Sequence, residues 1–124
     1  TSFSGAQFSG EETNFSGATF SGEETNFSGA QFSGQVTRFD RAQFSGQVTR
    51  FDSALFSGRE AAFIAASFVG NTCSFDRSAF AGVKAVFDHI DDEQANRITW
   101  IESVAVDGAS ITGDGRPFGP PASN

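Results

Sequence analysis

Hydrophobic and polar positions repeat along this chain with a period that neither a helix nor an ordinary strand requires. Phe occurs at fifteen positions between Phe3 and Phe87, separated alternately by five and by seven residues. The two steps together make a period of twelve residues. A small residue, mostly Ala or Thr, stands two positions before each Phe. A fixed period of this kind indicates a short unit that is stacked many times.

The order small, variable, Phe is a period-two pattern, so the small residue and the Phe face one side of a strand. Each unit then contains two three-residue strands, such as 6–8 and 13–15. A two-residue short link such as 4–5 joins them on one side, and a four-residue long link such as 9–12 joins them on the other. Stacked units place each strand beside its copies in parallel ladders, with the Phe columns inside.

The pattern therefore predicts an all-β fold, a narrow, two-sided, right-handed parallel β-solenoid with a C-terminal cap. It has twelve residues per coil and about seven coils. The long link keeps its Gly in every unit, as in Gly10 and Gly46, which predicts a positive φ there. In the short link Gly gives way to Arg41, Ser53 and Ala65. We therefore predict that the short link has no positive φ.

The regular repeat covers residues 1–87 and stops after Phe87. We interpret 88–112 as a C-terminal cap with a short helical turn and strands, in which Trp100 closes the last Phe layer. Residues 113–124 are rich in Gly and Pro and are expected to form a flexible tail. The chain starts without Met, in register with the repeat, which suggests a fragment or a processed chain. An uncovered first coil would offer a parallel edge to another chain.

Charge and composition exclude several functions. The net charge is −7, and eight basic residues are too few and too scattered for a nucleic-acid groove. No apolar run approaches the roughly 18 residues of a membrane span. Cys73 is alone, so the chain has no disulfide framework. The sequence does not name a compartment, although the cytoplasm is favoured.

No pattern in the sequence predicts an enzyme, and no catalytic, cofactor-binding or metal-binding residue is predicted. His89 is the single histidine, and Cys73 belongs to the inward column of small residues, where it fills space. No acid–base pair or phosphate-binding loop is present.

Two acidic columns leave alternatives open. The first is expected to stack in neighbouring coils as a solvated rim, with a cation site as the alternative; it contains Glu11, Glu12, Glu23 and Glu24. The second lies close to Arg side chains, which predicts local ion pairs; it contains Asp40, Asp52, Asp76 and Asp88. An ice-binding ladder of Thr is a further alternative, but Thr13, Thr25, Thr37 and Thr49 fall in the inward column.

The segments 6–10, 30–34 and 42–46, which read Ala-Gln-Phe-Ser-Gly, resemble pentapeptide-repeat proteins. In that family a small residue and a central Leu or Phe point into a right-handed β-helix, so the resemblance implies solenoid architecture for about residues 3–87. The family's usual coil is a square of about twenty residues. The twelve-residue period here looks like a Phe-centred bacterial variant, to which we do not expect the square to apply. Some members are acidic DNA mimics that act on DNA gyrase, and others are scaffolds.

We therefore expect a non-enzymatic structural or interaction module that binds a protein partner, or itself by end-to-end stacking through the first coil. The alternative is an acidic DNA mimic that modulates DNA gyrase or another topoisomerase. Ice or cation binding by a ladder of side chains is a minor alternative. No nucleic-acid ligand is expected.

Overall fold

The structure is a computed structural model that describes residues 2–70 and 72–119. Its strands form four parallel sheets, which we call faces 1 to 4 in the order in which the chain visits them. Face 1 contains β1 (Gln7–Phe8), β5 (Gln31–Phe32), β9 (Leu55–Phe56), β13 (Ala79–Ala81) and β16 (Val104–Val106). Face 2 contains β2 (Glu12–Asn14), β6 (Val36–Arg38), β10 (Glu60–Ala62), β14 (Lys84–Val86) and β17 (Ser110–Gly113).

Face 3 contains β3 (Thr19–Phe20), β7 (Gln43–Phe44) and β11 (Ser67–Phe68). Face 4 contains β4 (Glu24–Asn26), β8 (Val48–Arg50), β12 (Thr72–Ser74) and β15 (Ile98–Thr99). The helix α1 (Asp92–Arg97) lies between β14 and β15 in the chain, and β18 (Arg116–Pro117) pairs antiparallel with β17.

The predicted parallel β-solenoid is confirmed, but the predicted coil is wrong. Gln7 pairs with Gln31 and Glu12 with Val36, so each strand lies beside the strand 24 residues further along the chain, not 12. The coil therefore has four sides instead of two, and the solenoid has about four turns instead of seven. Successive twelve-residue units are so similar that their period cannot distinguish one unit per coil from two. The right hand of the solenoid stays a prediction.

Four Phe columns fill the four-sided interior. Within a column the rings stack nearly parallel: Phe51 lies 5.0 Å from Phe27 and 4.7 Å from Phe75, at angles of 4° and 7°. Between columns many ring pairs meet edge to face, as Phe39 and Phe51 do at 5.6 Å and 89°. Both geometries are favourable for aromatic quadrupoles. The columns are Phe3–Phe27–Phe51–Phe75, Phe8–Phe32–Phe56–Phe80, Phe15–Phe39–Phe63–Phe87 and Phe20–Phe44–Phe68.

The prediction for the short link is wrong, and the prediction for the long link is right at Gly82, with φ 64°, but wrong at Gly34 and Gly46. The short links have a positive φ even without Gly, with values of 58° at Arg41 and 58° at Ala65. In the long links the φ values of Gly34 and Gly46 lie outside the positive range. Gly is needed there for a different reason, because a Cβ on Gly46 would lie 1.9 Å from the carbonyl oxygen of Gly22 in the coil below. The long link is a site of close backbone approach, and the short link is a left-handed turn.

The C-terminal segment continues the solenoid. Strands β15, β16 and β17 extend faces 4, 1 and 2, while α1 takes the place of a fourth strand on face 3. Trp100 stacks on Phe75 at 4.7 Å, in the closing position that we expected for it. Phe118 stacks on Phe87 at 4.7 Å, so residues 113–119 lie against the solenoid where a flexible tail was expected. The rest of that tail, 120–124, lies outside the described residues.

Candidate functional site

The first coil exposes aromatic surface that every later coil covers. Phe3, Phe8 and Phe15 are half-buried, whereas the rings directly above them in the second coil are fully buried. We call these three rings, with the free edges of β1, β2 and β3, the front face; the edge of β4 is already paired, since Ser2 bridges to Asn26. In the second coil the Gln31 N–H donates to the carbonyl oxygen of Ala6 in the first coil at 2.8 Å. The equivalent N–H of Gln7 lies on the free edge, where no coil stands in front of it. The front face can therefore accept both ring stacking and strand pairing.

The coil behind the front face is acidic. Residues 2–35 contain four Glu and no Lys or Arg. Glu12 accepts a hydrogen bond from Nε of Arg38 at 3.0 Å, and Glu24 accepts one from Nε of Arg50 at 2.9 Å. These hydrogen bonds raise the pKa of both guanidinium groups, and neighbouring carboxylates add to the effect. The two pairs join the first coil to the second.

The expected rim of stacked Glu is not formed. Glu12 belongs to β2 on face 2, and Glu24 belongs to β4 on face 4, on the opposite side of the coil. Their neighbours one coil above are Val36 and Val48. Within the described ranges no three His, Cys, Asp or Glu side chains are grouped so that they could hold a metal ion. The Glu11/Glu12 and Glu23/Glu24 pairs therefore lack the geometry on which a shared cation site depended.

The second predicted acidic column is not formed either, because Asp40 and Asp88 follow face 2 whereas Asp52 and Asp76 follow face 4. Its residues have structural partners. Asp40 and Asp52 lie 3.7 and 3.6 Å from guanidinium nitrogens of Arg38 and Arg50, which confirms the predicted ion pairs there. Asp side chains of this set also accept hydrogen bonds from the coil above, as Asp76 does from the Ile101 N–H at 2.9 Å. In the same way, Asp40 accepts a hydrogen bond from the Ile64 N–H, and Asp88 accepts one from the Asp114 N–H. These contacts give the Asp residues structural roles at the corners of the coil.

The Thr columns face inward, as predicted. Thr25, Thr37 and Thr49 are buried, so they cannot form an outer ladder for ice. The hydroxyl oxygen of Thr25 is buried without a hydrogen-bond partner. A buried hydroxyl of this kind destabilises the core and binds nothing.

His89 and Cys73 are not brought together. His89 occupies the left-handed position of a short link, with φ 60°, and its Nδ1 lies 3.8 Å from the carboxylate of Asp114. Cys73 is buried on the inner side of face 4. Burial raises the pKa of its thiol, and the charge of Asp52 raises it further. A thiol in this state is a poor nucleophile.

Sequence reasoning missed a groove at the C-terminal end. It has a volume of about 590 Å³ and lies between α1 and the turn that carries Phe118. Ile98, Trp100 and Phe118 supply apolar lining, and Asp92 and Arg116 supply charge. The only signal in the sequence was Trp100, because the groove depends on α1 replacing a strand.

Among the described residues, no helix is long and apolar enough to cross a membrane. Comparison of the chain with family models, with curated proteins and with solved structures gave no match. The likeness to pentapeptide repeats therefore rests on the residues of this chain alone.

Proposed function

We propose that this chain is a non-enzymatic structural or interaction module, a β-solenoid that associates with a second copy through its front face. The observation that carries the proposal is the contrast between Phe3, Phe8 and Phe15, which are half-buried, and Phe27, Phe32 and Phe39, which are fully buried. Soluble proteins rarely leave contiguous aromatic surface uncovered.

A second copy is a suitable occupant because the front face is built for stacking. Its rings stand in the same columns as rings that already stack, as Phe8 does on Phe32 at 5.1 Å. The free edges of β1, β2 and β3 supply backbone groups that another edge can pair with. When two front faces meet, the rings of the second copy would extend the Phe columns, and its free edges would run antiparallel to β1, β2 and β3.

Charge opposes this association at low ionic strength. The four Glu of the first coil would face those of a second copy when two front faces meet. Salt screens such repulsion over a Debye length of about 10 Å at 0.1 M. Association should therefore strengthen as sodium chloride is added, whereas an association driven by opposite charges would weaken.

The test is solution mass by light scattering over a roughly hundredfold concentration range, at low and high salt. We expect the mass to grow with concentration, and more so at high salt. Gln7→Pro should reduce this growth, because Pro removes an N–H from the free edge. Gln7→Thr is the matched control, since Thr19 occupies the equivalent position on β3. A constant mass under all conditions would overturn self-association and favour a cover supplied from outside this chain.

A further inference from the structure

Helix α1 stands where the fourth strand of face 3 would lie. Faces 1, 2 and 4 each have a strand in the last coil, whereas face 3 ends at β11. In the 24-residue register the positions above Ser67 and Phe68 fall on Asp91 and Asp92. A carboxylate over the Phe68 ring would be buried without a partner, which is costly. The chain instead turns outward, and the Asp91 side chain caps α1 by accepting the Glu93 N–H at 2.8 Å.

Side chains of α1 replace the hydrogen bonds of the missing strand. The Phe68 N–H donates to Oε1 of Gln94 at 2.8 Å, and Nη2 of Arg97 donates to the Phe68 carbonyl oxygen at 3.3 Å. One coil below, the Phe44 carbonyl accepts from the backbone N–H of Val69 at 3.1 Å. The β11 edge is thus satisfied by two side chains where the repeat uses backbone.

This cover is slight. The helix has six residues and buries none of them fully. It is held by these side-chain bonds, by Ala95, which packs against the core, and by Ile90, which leads into it and is buried. Isolated helices of this length are unstable in water. An extended strand would offer backbone hydrogen bonds along the whole edge together with a ring for the Phe68 column.

We propose that the β11 edge is an acceptor site for an extended polypeptide strand, and that α1 holds it closed. The strand it fits reads small, variable, Phe, because all three strands of face 3 follow Ala-x-Phe, as in 42–44 and 66–68. Its Phe would stack on Phe68 as Phe44 does at 5.0 Å. Its small residue would lie over Ala66, where Ile90 now lies, so Ile90 leaves together with α1. This site is separate from the front face.

The experiment follows hydrogen exchange of the Phe68 amide by NMR in the full chain. Gln94→Ala should accelerate its exchange at least about tenfold, since one hydrogen bond is lost. Asn96→Ala is the matched control, because Asn96 is exposed on the same helix and makes no hydrogen bond to β11. Trp100 emission reports whether each variant keeps the last coil.

The probe for strand binding is the peptide Gly-Ala-Gln-Phe-Ser-Gly, the sequence of 29–34. We expect it to protect the Phe68 amide, with a Kd about tenfold lower for Gln94→Ala/Arg97→Ala than for the unmodified chain. The same peptide with Ala in place of Phe should bind at least about tenfold more weakly to both. Unchanged Phe68 exchange in Gln94→Ala, or equal binding of the two peptides to the unmodified chain, would overturn the proposal.

Discussion

The carbonyl oxygen of Gly10 lies 2.0 Å from the point that a Cβ on Gly34 would occupy. The two long links therefore touch backbone to backbone, and the contact repeats up the solenoid, with 1.7 Å between the same points on Gly58 and Gly34. Any side chain on the upper residue must push the two coils apart. This relationship explains the Gly residues at 34, 46, 58 and 70, whereas Gly82 has a positive φ of 64° and no such overlap.

Gly34→Ala should destabilise the protein by about 3 kcal/mol, because the added methyl group meets a carbonyl that cannot move without breaking the ladder. Gly10→Ala is the control, since the nearest atom to its Cβ would be 3.9 Å away. Urea unfolding of both variants measures the difference. Equal stability of the two would show that the coils can separate at this corner.

Ala65→Gly should stabilise the protein by about 0.5–1 kcal/mol. Ala65 has φ 58° and an exposed side chain. A left-handed conformation costs a residue with a Cβ about 1–2 kcal/mol, and Gly removes this cost. Because Gly loses more conformational entropy on folding, the net gain in stability is about half of that. Ala66→Gly, at the buried neighbouring position, should destabilise. Thermal unfolding of the two variants decides the point: a lower midpoint for Ala65→Gly would contradict the left-handed turn.

The direction of side chains could be predicted from the sequence, but the size of the coil could not. Small and Phe columns face inward, as Ala42 and Phe44 do, because a period of two within a strand needs no knowledge of its neighbours. The length of the coil depends on which repeats pair with each other. The sequence around residue 7 fits a pairing with residue 31, which makes a 24-residue coil, as well as a pairing with residue 19, which makes a 12-residue coil. The packing of four rings, with Phe39 edge-on to Phe51 at 5.6 Å, decides in favour of four sides.

For a related reason, the sequence predicted a positive φ for the long links, whereas the short links have it. A column of Gly has two physical causes, positive φ and close approach, and the sequence alone does not separate them. Arg41, with φ 58°, shows that a residue other than Gly can adopt a positive φ in this fold. No other residue fits at position 34, because its Cβ would overlap the carbonyl oxygen of Gly10. Likewise, the break of the pattern at Asp91 and Asp92 predicted a helical turn but not the strand that it replaces.

Phe51→Ala should cost about 3–5 kcal/mol, the range for deleting a buried ring. Phe51 is fully buried and stacks on Phe27 below and Phe75 above. Phe8→Ala should cost roughly half as much, since that ring is half-buried and stacks only on Phe32 within its column. Unfolding followed by Trp100 fluorescence at low protein concentration keeps association out of the comparison. A larger loss for Phe8→Ala would mean that the front face is covered in solution.

Stability should fall at alkaline pH because of Cys73. Burial raises the pKa of its thiol in the folded state above the ordinary value of about 8.5, with the charge of Asp52 as a second cause. The folded protein therefore holds this proton more tightly than the unfolded chain. The resulting stabilisation is fully present below about pH 8.5 and is lost as the pH rises further, at up to about 1.4 kcal/mol per pH unit.

Cys73→Ala isolates this effect, because Ala already occupies the corresponding inward position on face 2 at Ala61 and Ala85. The variant should lose about 1 kcal/mol near pH 7 from the missing sulfur atom, but its stability should fall less steeply above pH 8.5. Urea unfolding at several pH values between about 7 and 10 gives both slopes. Parallel slopes would contradict a buried, protonated thiol, as would rapid alkylation of Cys73 in the folded protein, since the thiolate is the reactive form.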